Sequence, residues 1–78
     1  MKTGRYNHFK GKPYEVLGVA MHSETCEKMI VYRALYDCPE IEAEYGQYPL
    51  FVRPYDMFNE TVEHDGKVVS RFAYMGDM

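Results

Sequence analysis

Seventy-eight residues carrying a formal charge of −3 make one domain, residues 1–78, near the lower limit for independent folding. With 46% apolar residues the chain is ordinary for a folded protein, which argues against disorder, and no apolar run approaches the length of a membrane-spanning helix. The acidic balance makes nucleic acid an unfavoured partner, because binders of that backbone carry a basic stripe.

The start, MKTGRYNHFKG, lacks the apolar centre of a signal peptide, which predicts a cytoplasmic chain. Cys26 and Cys38 form no C-x-x-C pair and are expected to be reduced, structural thiols. Residues 1–14 hold Lys2, Arg5, Lys10 and Lys12 with no acid. Residues 37–44 hold Asp37, Glu40, Glu42 and Glu44 with no base. Two solvated loops are the simpler reading of this split. Eight Tyr and four Phe, with no Trp, suit a thin core whose hydroxyls stay wet.

The core is expected over residues 5–75. Tyr6–Phe9 predicts a first strand, and Lys10-Gly11-Lys12-Pro13 a turn. Tyr14–Met21 and Met29–Tyr36 predict the two central strands, rich in Val, Ile and Tyr. Tyr14–Met21 is apolar on both faces, so a bend is expected in it, and Gly18 is where a bulge costs least. Between the two strands lies a polar elbow, His22-Ser23-Glu24-Thr25. Arg33 falls mid-strand among apolar residues, where its simplest role is an ion pair on the solvent face.

Residues 37–49 read as a long polar loop with Pro39, Gly46 and Pro49, either mobile or a lid. Leu50–Arg53 predicts a short strand stopped by Pro54. Residues 54–58 predict one helical turn, with Pro first and Met57 and Phe58 facing inward. Asp65-Gly66 between apolar runs predicts a type I′ hairpin, whose second strand would run from Val68 through Phe72 to Tyr74. The expectation is an all-β chain of five or six short strands with one helical turn, closing as a small SH3-like barrel.

Several of these segments carry a family pattern. Tyr6-Asn7-His8-Phe9-Lys10-Gly11, Tyr14-Glu15-Val16, Ala20-Met21-His22-Ser23-Glu24-Thr25, Val31-Tyr32-Arg33-Ala34-Leu35-Tyr36, Val52-Arg53-Pro54 with Met57-Phe58, and later Glu60, Gly66 and Arg71-Phe72 follow in order. Over Tyr6 to about Tyr74 the chain resembles the family catalogued as domain of unknown function 1653. The resemblance implies a small stand-alone bacterial domain and supplies no activity or catalytic residue. Segment 37–49 departs from it by its length.

The candidate site is a polar cluster of His8, His22, Glu24, Thr25, Tyr32, Arg33, Arg53 and Glu60, drawn from separate segments. In a small barrel several of these would lie within reach of one another. They would form either a hydrogen-bonded network that fixes the fold or a pocket for a small polar ligand or a segment of another protein, with the elbow at its rim. A homodimer is a further expectation, because so small a core gains from added burial. His22, Glu24 and Cys26 alternate as metal-ligand types, but a structural zinc site wants four ligands with paired cysteines, so no metal is expected. Glycine fingerprints for nucleotides are absent, and no cofactor is expected. A non-catalytic binding module is therefore favoured over an enzyme. The alternatives are a small hydrolase using His22 and Glu24 as acid and base, and a weak nucleic-acid module using the basic start of the chain.

Overall fold

The structure, a computed structural model, describes residues 1–77. Strands β1 (Gly4–His8), β2 (Pro13–Met21) and β3 (Lys28–Ala34) come first, then helix α1 (Pro39–Tyr45) and strand β4 (Leu50–Pro54). Helix α2 (Tyr55–Phe58), strands β5 (Thr61–His64) and β6 (Lys67–Ser70), and strand β7 (Phe72–Gly76) complete the chain. Among the described residues no helix is long and apolar enough to cross a membrane.

Five strands form one antiparallel sheet in the order β4-β3-β2-β1-β7. The long β2 is its spine, and the expected bulge falls between Val16 and Gly18. Before the bulge Glu15 lies opposite Arg33 and Val16 opposite Tyr32; beyond it Val19 lies opposite Ile30. The irregularity lets a strand that is apolar on both sides turn without breaking its pairing.

The predicted hairpin forms. Asp65 and Gly66 have φ of 52° and 77°, the left-handed pair that a type I′ turn needs. However, its second strand ends at Ser70. The chain bends at Arg71, and Phe72 onward joins β1 as a separate strand. The hairpin β5-β6 therefore pairs only with itself.

That bend corrects the barrel expectation. No closed barrel forms among the described residues, which hold seven strands in an open five-stranded sheet and a two-stranded one. The segment between β4 and β7 is taken up by α2 and the hairpin, so the two sheet edges are never joined. Residues 37–49 are also corrected, since α1 occupies their middle. Pro39 starts the helix with φ already suited to it, and Glu40 and Glu42 lie in its first turn, where carboxylates meet the positive end of the backbone dipole. The Cys38 N–H donates to the Glu42 carboxylate at 2.6 Å.

Tyr6, Val16, Ile30, Tyr32, Phe58 and Phe72 make the core, with Tyr14, Phe51 and Tyr55 packed against it. Tyr6 buries its ring while its hydroxyl donates to the Lys2 carbonyl at 2.8 Å, as a thin tyrosine-rich core requires. In α2 only Phe58 is fully buried; Met57, expected beside it, is exposed. Both thiols are free, with Cys38 buried and Cys26 exposed.

Candidate functional site

Side chains directly opposite in an antiparallel pair share a face, and neighbours along a strand do not. Tyr32 lies opposite Phe51 and Ile30 opposite Arg53, so Arg53 is the diagonal neighbour of Tyr32 on the core side of the sheet. The Arg53 Nε–H donates to the Tyr32 hydroxyl at 3.2 Å, and the guanidinium lies 5.6 Å from the centre of the Phe72 ring. His8, opposite Phe72 across β1 and β7, meets the same ring edge-on at 5.0 Å. Phe72 is thus a shared floor for Arg53 and His8, and it is held from below by Phe58, stacked on it at 4.0 Å.

Arg71 adds a second positive group. Its backbone is fixed on both sides, accepting from the Phe9 N–H at 2.9 Å and donating to the Glu60 carbonyl at 2.9 Å. Its side chain pairs with the Glu60 carboxylate at 3.1 Å, while its Nε is buried with no acceptor among the described residues. The Arg53 side chain has no carboxylate partner among the described residues; its one hydrogen bond there is to Tyr32. The aromatic floor continues from Phe72 to Tyr14, whose hydroxyl shares a 2.6 Å hydrogen bond with Tyr36, and Lys12 lies 4.8 Å over the Tyr36 ring. Burial, then the bond to Tyr36, keeps the Tyr14 phenol protonated well beyond its ordinary range.

Burial first, then the positive charges of Arg53, Arg71 and Lys10, lower the His8 pKa below the usual imidazole value of 6.5. A histidine depressed in the folded state stabilises the fold above its unfolded pKa. That contribution is lost as pH falls below 6.5 and through the folded value. Urea midpoints should therefore drop between about pH 7.5 and about pH 5.5, and His8→Gln should flatten the drop. An equally steep profile in His8→Gln would place the titrating group elsewhere.

The rest of the expected cluster does not converge here. Arg33 takes the opposite face of β3 and pairs with Glu15 at 3.5 Å, the solvent-side ion pair that its position suggested. His22, Glu24 and Thr25 are exposed at the tip of the β2–β3 hairpin. The His22 Nδ1 accepts from the Glu24 and Thr25 backbone N–H groups at 3.2 and 3.4 Å, and the Thr25 hydroxyl accepts from the Glu27 N–H at 3.2 Å. The elbow's described hydrogen bonds are thus internal to the turn. His22, Glu24 and Cys26 do not assemble as ligands, since no group of three suitable side chains is placed to hold a metal among the described residues. With no buried contact to lose, the double substitution His22→Ala with Glu24→Ala should change stability by under about 1 kcal/mol in urea denaturation.

Of the expected cluster, the structure brings His8, Tyr32 and Arg53 together around Phe72, and Glu60 reaches the same place through its pair with Arg71. Arg71 and Phe72 were missed as site residues. They follow Val68-Val69-Ser70 in what looks like one strand, and nothing local marks the bend between the two sheets.

A family model described as a protein of unknown function (DUF1653) matches residues 4–74. A crystal structure of a DUF1653 protein from Bordetella bronchiseptica is similar to this chain, with a TM-score of 0.85 and 35% identity, covering 100% of this chain and 91% of that one. No curated protein matches.

Proposed function

The chain belongs to the DUF1653 family, and we propose that it is a non-catalytic binding module that holds an anion on the Arg53–Arg71–His8 ledge. One observation carries this reading. The half-buried Arg53 guanidinium is anchored through a single hydrogen bond and faces no carboxylate among the described residues. A partly desolvated cation without a counter-charge is costly, and an incoming anion removes that cost. A guanidinium offers a planar fork of donors that fits a carboxylate or phosphate, and the Tyr32 bond with the Phe72 ring preorganises it. The net charge of −3 sharpens the point, because positive groups gather here against the balance of the chain.

The elbow lies outside this ledge, which makes it a discriminating control. We would follow backbone amide shifts of the full chain during titration with inorganic phosphate, adenosine monophosphate and benzoate. At least one should bind saturably, with the largest shifts at His8, Arg53, Arg71 and Phe72. Arg53→Gln should weaken it by about tenfold or more, the worth of a charge-assisted hydrogen bond. The His22→Ala and Glu24→Ala double variant should bind like the parent. Shifts centred on residues 22–25, or full affinity in Arg53→Gln, would refute the ledge as the site.

A further inference from the structure

The open edge of the sheet offers a site of another kind. Strand β4 is the last in the order, so one of its sides has no neighbouring strand. The Ala34 N–H donates to the Pro49 carbonyl at 3.3 Å, and the register then puts Tyr32 opposite Phe51 and Ile30 opposite Arg53. Hydrogen-bonding pairs alternate along an antiparallel ladder. The backbones of Phe51 and Arg53 therefore bond inward to β3, and the N–H and C=O groups of Leu50 and Val52 point out from the edge. Among the described residues no backbone group of a turn or helix bonds back to them. Such a row is a template for one more strand, and proteins usually blunt it with charges. Here Pro49 and Pro54 bracket the row, but Leu50 and Val52 are uncharged and exposed.

A groove of about 350 Å³ runs beside this edge, lined by Ile41, Tyr45, Pro49, Leu50, Phe51 and Val52. Consecutive strand residues face alternate sides of a sheet, so one groove reaches Leu50, Phe51 and Val52 together only along the edge. Ile41 and Tyr45, one turn apart, make the far wall, on a helix that has no fully buried residue. The lining is apolar but for the Tyr45 hydroxyl, while its surroundings are acidic. Residues 37–52 hold Asp37, Glu40, Glu42 and Glu44 and no Lys or Arg. Glu42 is turned back to the Cys38 N–H, which leaves Glu40 and Glu44 on the exposed surface of α1.

An extended segment with positive charge matches each of these features. Its backbone pairs with Leu50 and Val52, alternate apolar side chains enter the groove, and lysine or arginine beside them complements α1. A second copy of this chain matches less well. Pairing two β4 strands about a two-fold axis would bring both acidic helices to one junction.

We propose that the β4 edge and helix α1 form a docking groove for an extended basic segment of another protein, which joins the sheet as a sixth strand. The groove is separate from the anion ledge. The Leu50 and Val52 side chains take the face of β4 opposite to Arg53, and neither His8, Arg71 nor Phe72 lines it.

The probe is a capped pentapeptide with lysine at each end and valine, threonine and valine between, titrated into the full chain. It should bind saturably and shift the Ile41, Tyr45, Leu50 and Val52 amides. At saturation it should slow hydrogen exchange at Leu50 and Val52 by about tenfold or more. The same peptide N-methylated on its three central residues should bind about tenfold more weakly, because it has lost the donors of the ladder. The analogue with glutamate at each end should not bind. Val52→Pro removes an outward donor where an edge strand tolerates proline, and should weaken the lysine peptide by about tenfold or more. Glu40→Gln with Glu44→Gln, two exposed changes, should keep the fold and weaken that peptide about threefold or more. Equal binding of either control peptide, full affinity in either variant, shifts centred on His8, Arg71 and Phe72, or no shift at millimolar peptide would overturn the proposal. So would a chain that sediments as a dimer with Leu50 and Val52 already protected, since a second copy would then hold the edge.

Discussion

Phe58→Ala is expected to lower the unfolding free energy by about 3–5 kcal/mol, the usual range for truncating a buried Phe. Phe58 is 1% exposed and is the only buried residue of α2. Its ring stacks on Phe72 at 4.0 Å and meets Tyr32 at 5.4 Å and Tyr6 at 5.6 Å. These contacts reach β7, β3 and β1, so one side chain ties the short helix to three strands. A domain of this size has roughly 4–12 kcal/mol in total, so the loss removes a large share of it. The ledge should fail with the fold, because Phe72 loses the ring that holds it beneath Arg53. Met57→Ala, at an exposed neighbour on the same helix, should cost under about 1 kcal/mol. Urea denaturation followed by circular dichroism compares the two, and similar small losses would mean that α2 is not docked through Phe58.

Local signals carried most of the fold. The central strands, the Asp65-Gly66 turn and the helical turn before Phe58 each depend on neighbours in sequence, and all three formed. Closure of the sheet depends on which distant edges meet, and no local residue encodes that. The helix α1 was hidden for another reason. None of its residues is fully buried, so it has no apolar stripe to betray a helical period, although Pro39 and Gly46 bracket it.

The candidate site divides the same way. Strand parity alone separates Tyr32 from Arg33, because adjacent residues on a strand cannot share a face. The pairing register then decides which of the two meets Arg53, and that register exists only in the folded sheet. The elbow failed to join because β2 and β3 stay paired as far as Met21 and Lys28, which carries residues 22–25 out to the hairpin tip.

The largest effect outside the aromatic core is expected at Gly4. This residue is buried with φ of +127°, a conformation that side chains rarely adopt. A Cβ built there would stand 2.6 Å from the Gly76 carbonyl oxygen and 3.3 Å from the Asp77 Cα. Both are backbone atoms and cannot rotate aside, so β1 and the end of β7 would have to part. Strain and overpacking together put Gly4→Ala at on the order of 3 kcal/mol destabilised. The separation would fall where Arg5 pairs with Gly76 and where Tyr6 meets Tyr74 at 5.3 Å. His8 and Phe72 pair at the other end of β1–β7 and Arg53 lies on β4, so anion binding per folded molecule should survive in the same variant. Gly18→Ala is the matched control: it too sits in a strand beside an irregularity, but nothing lies within 4 Å of its added Cβ. It should be neutral or stabilising by up to about 1 kcal/mol, since a strand gains from losing a glycine in its interior. If urea denaturation found Gly4→Ala as stable as Gly18→Ala, the close approach of β7 to the start of β1 would not exist in solution.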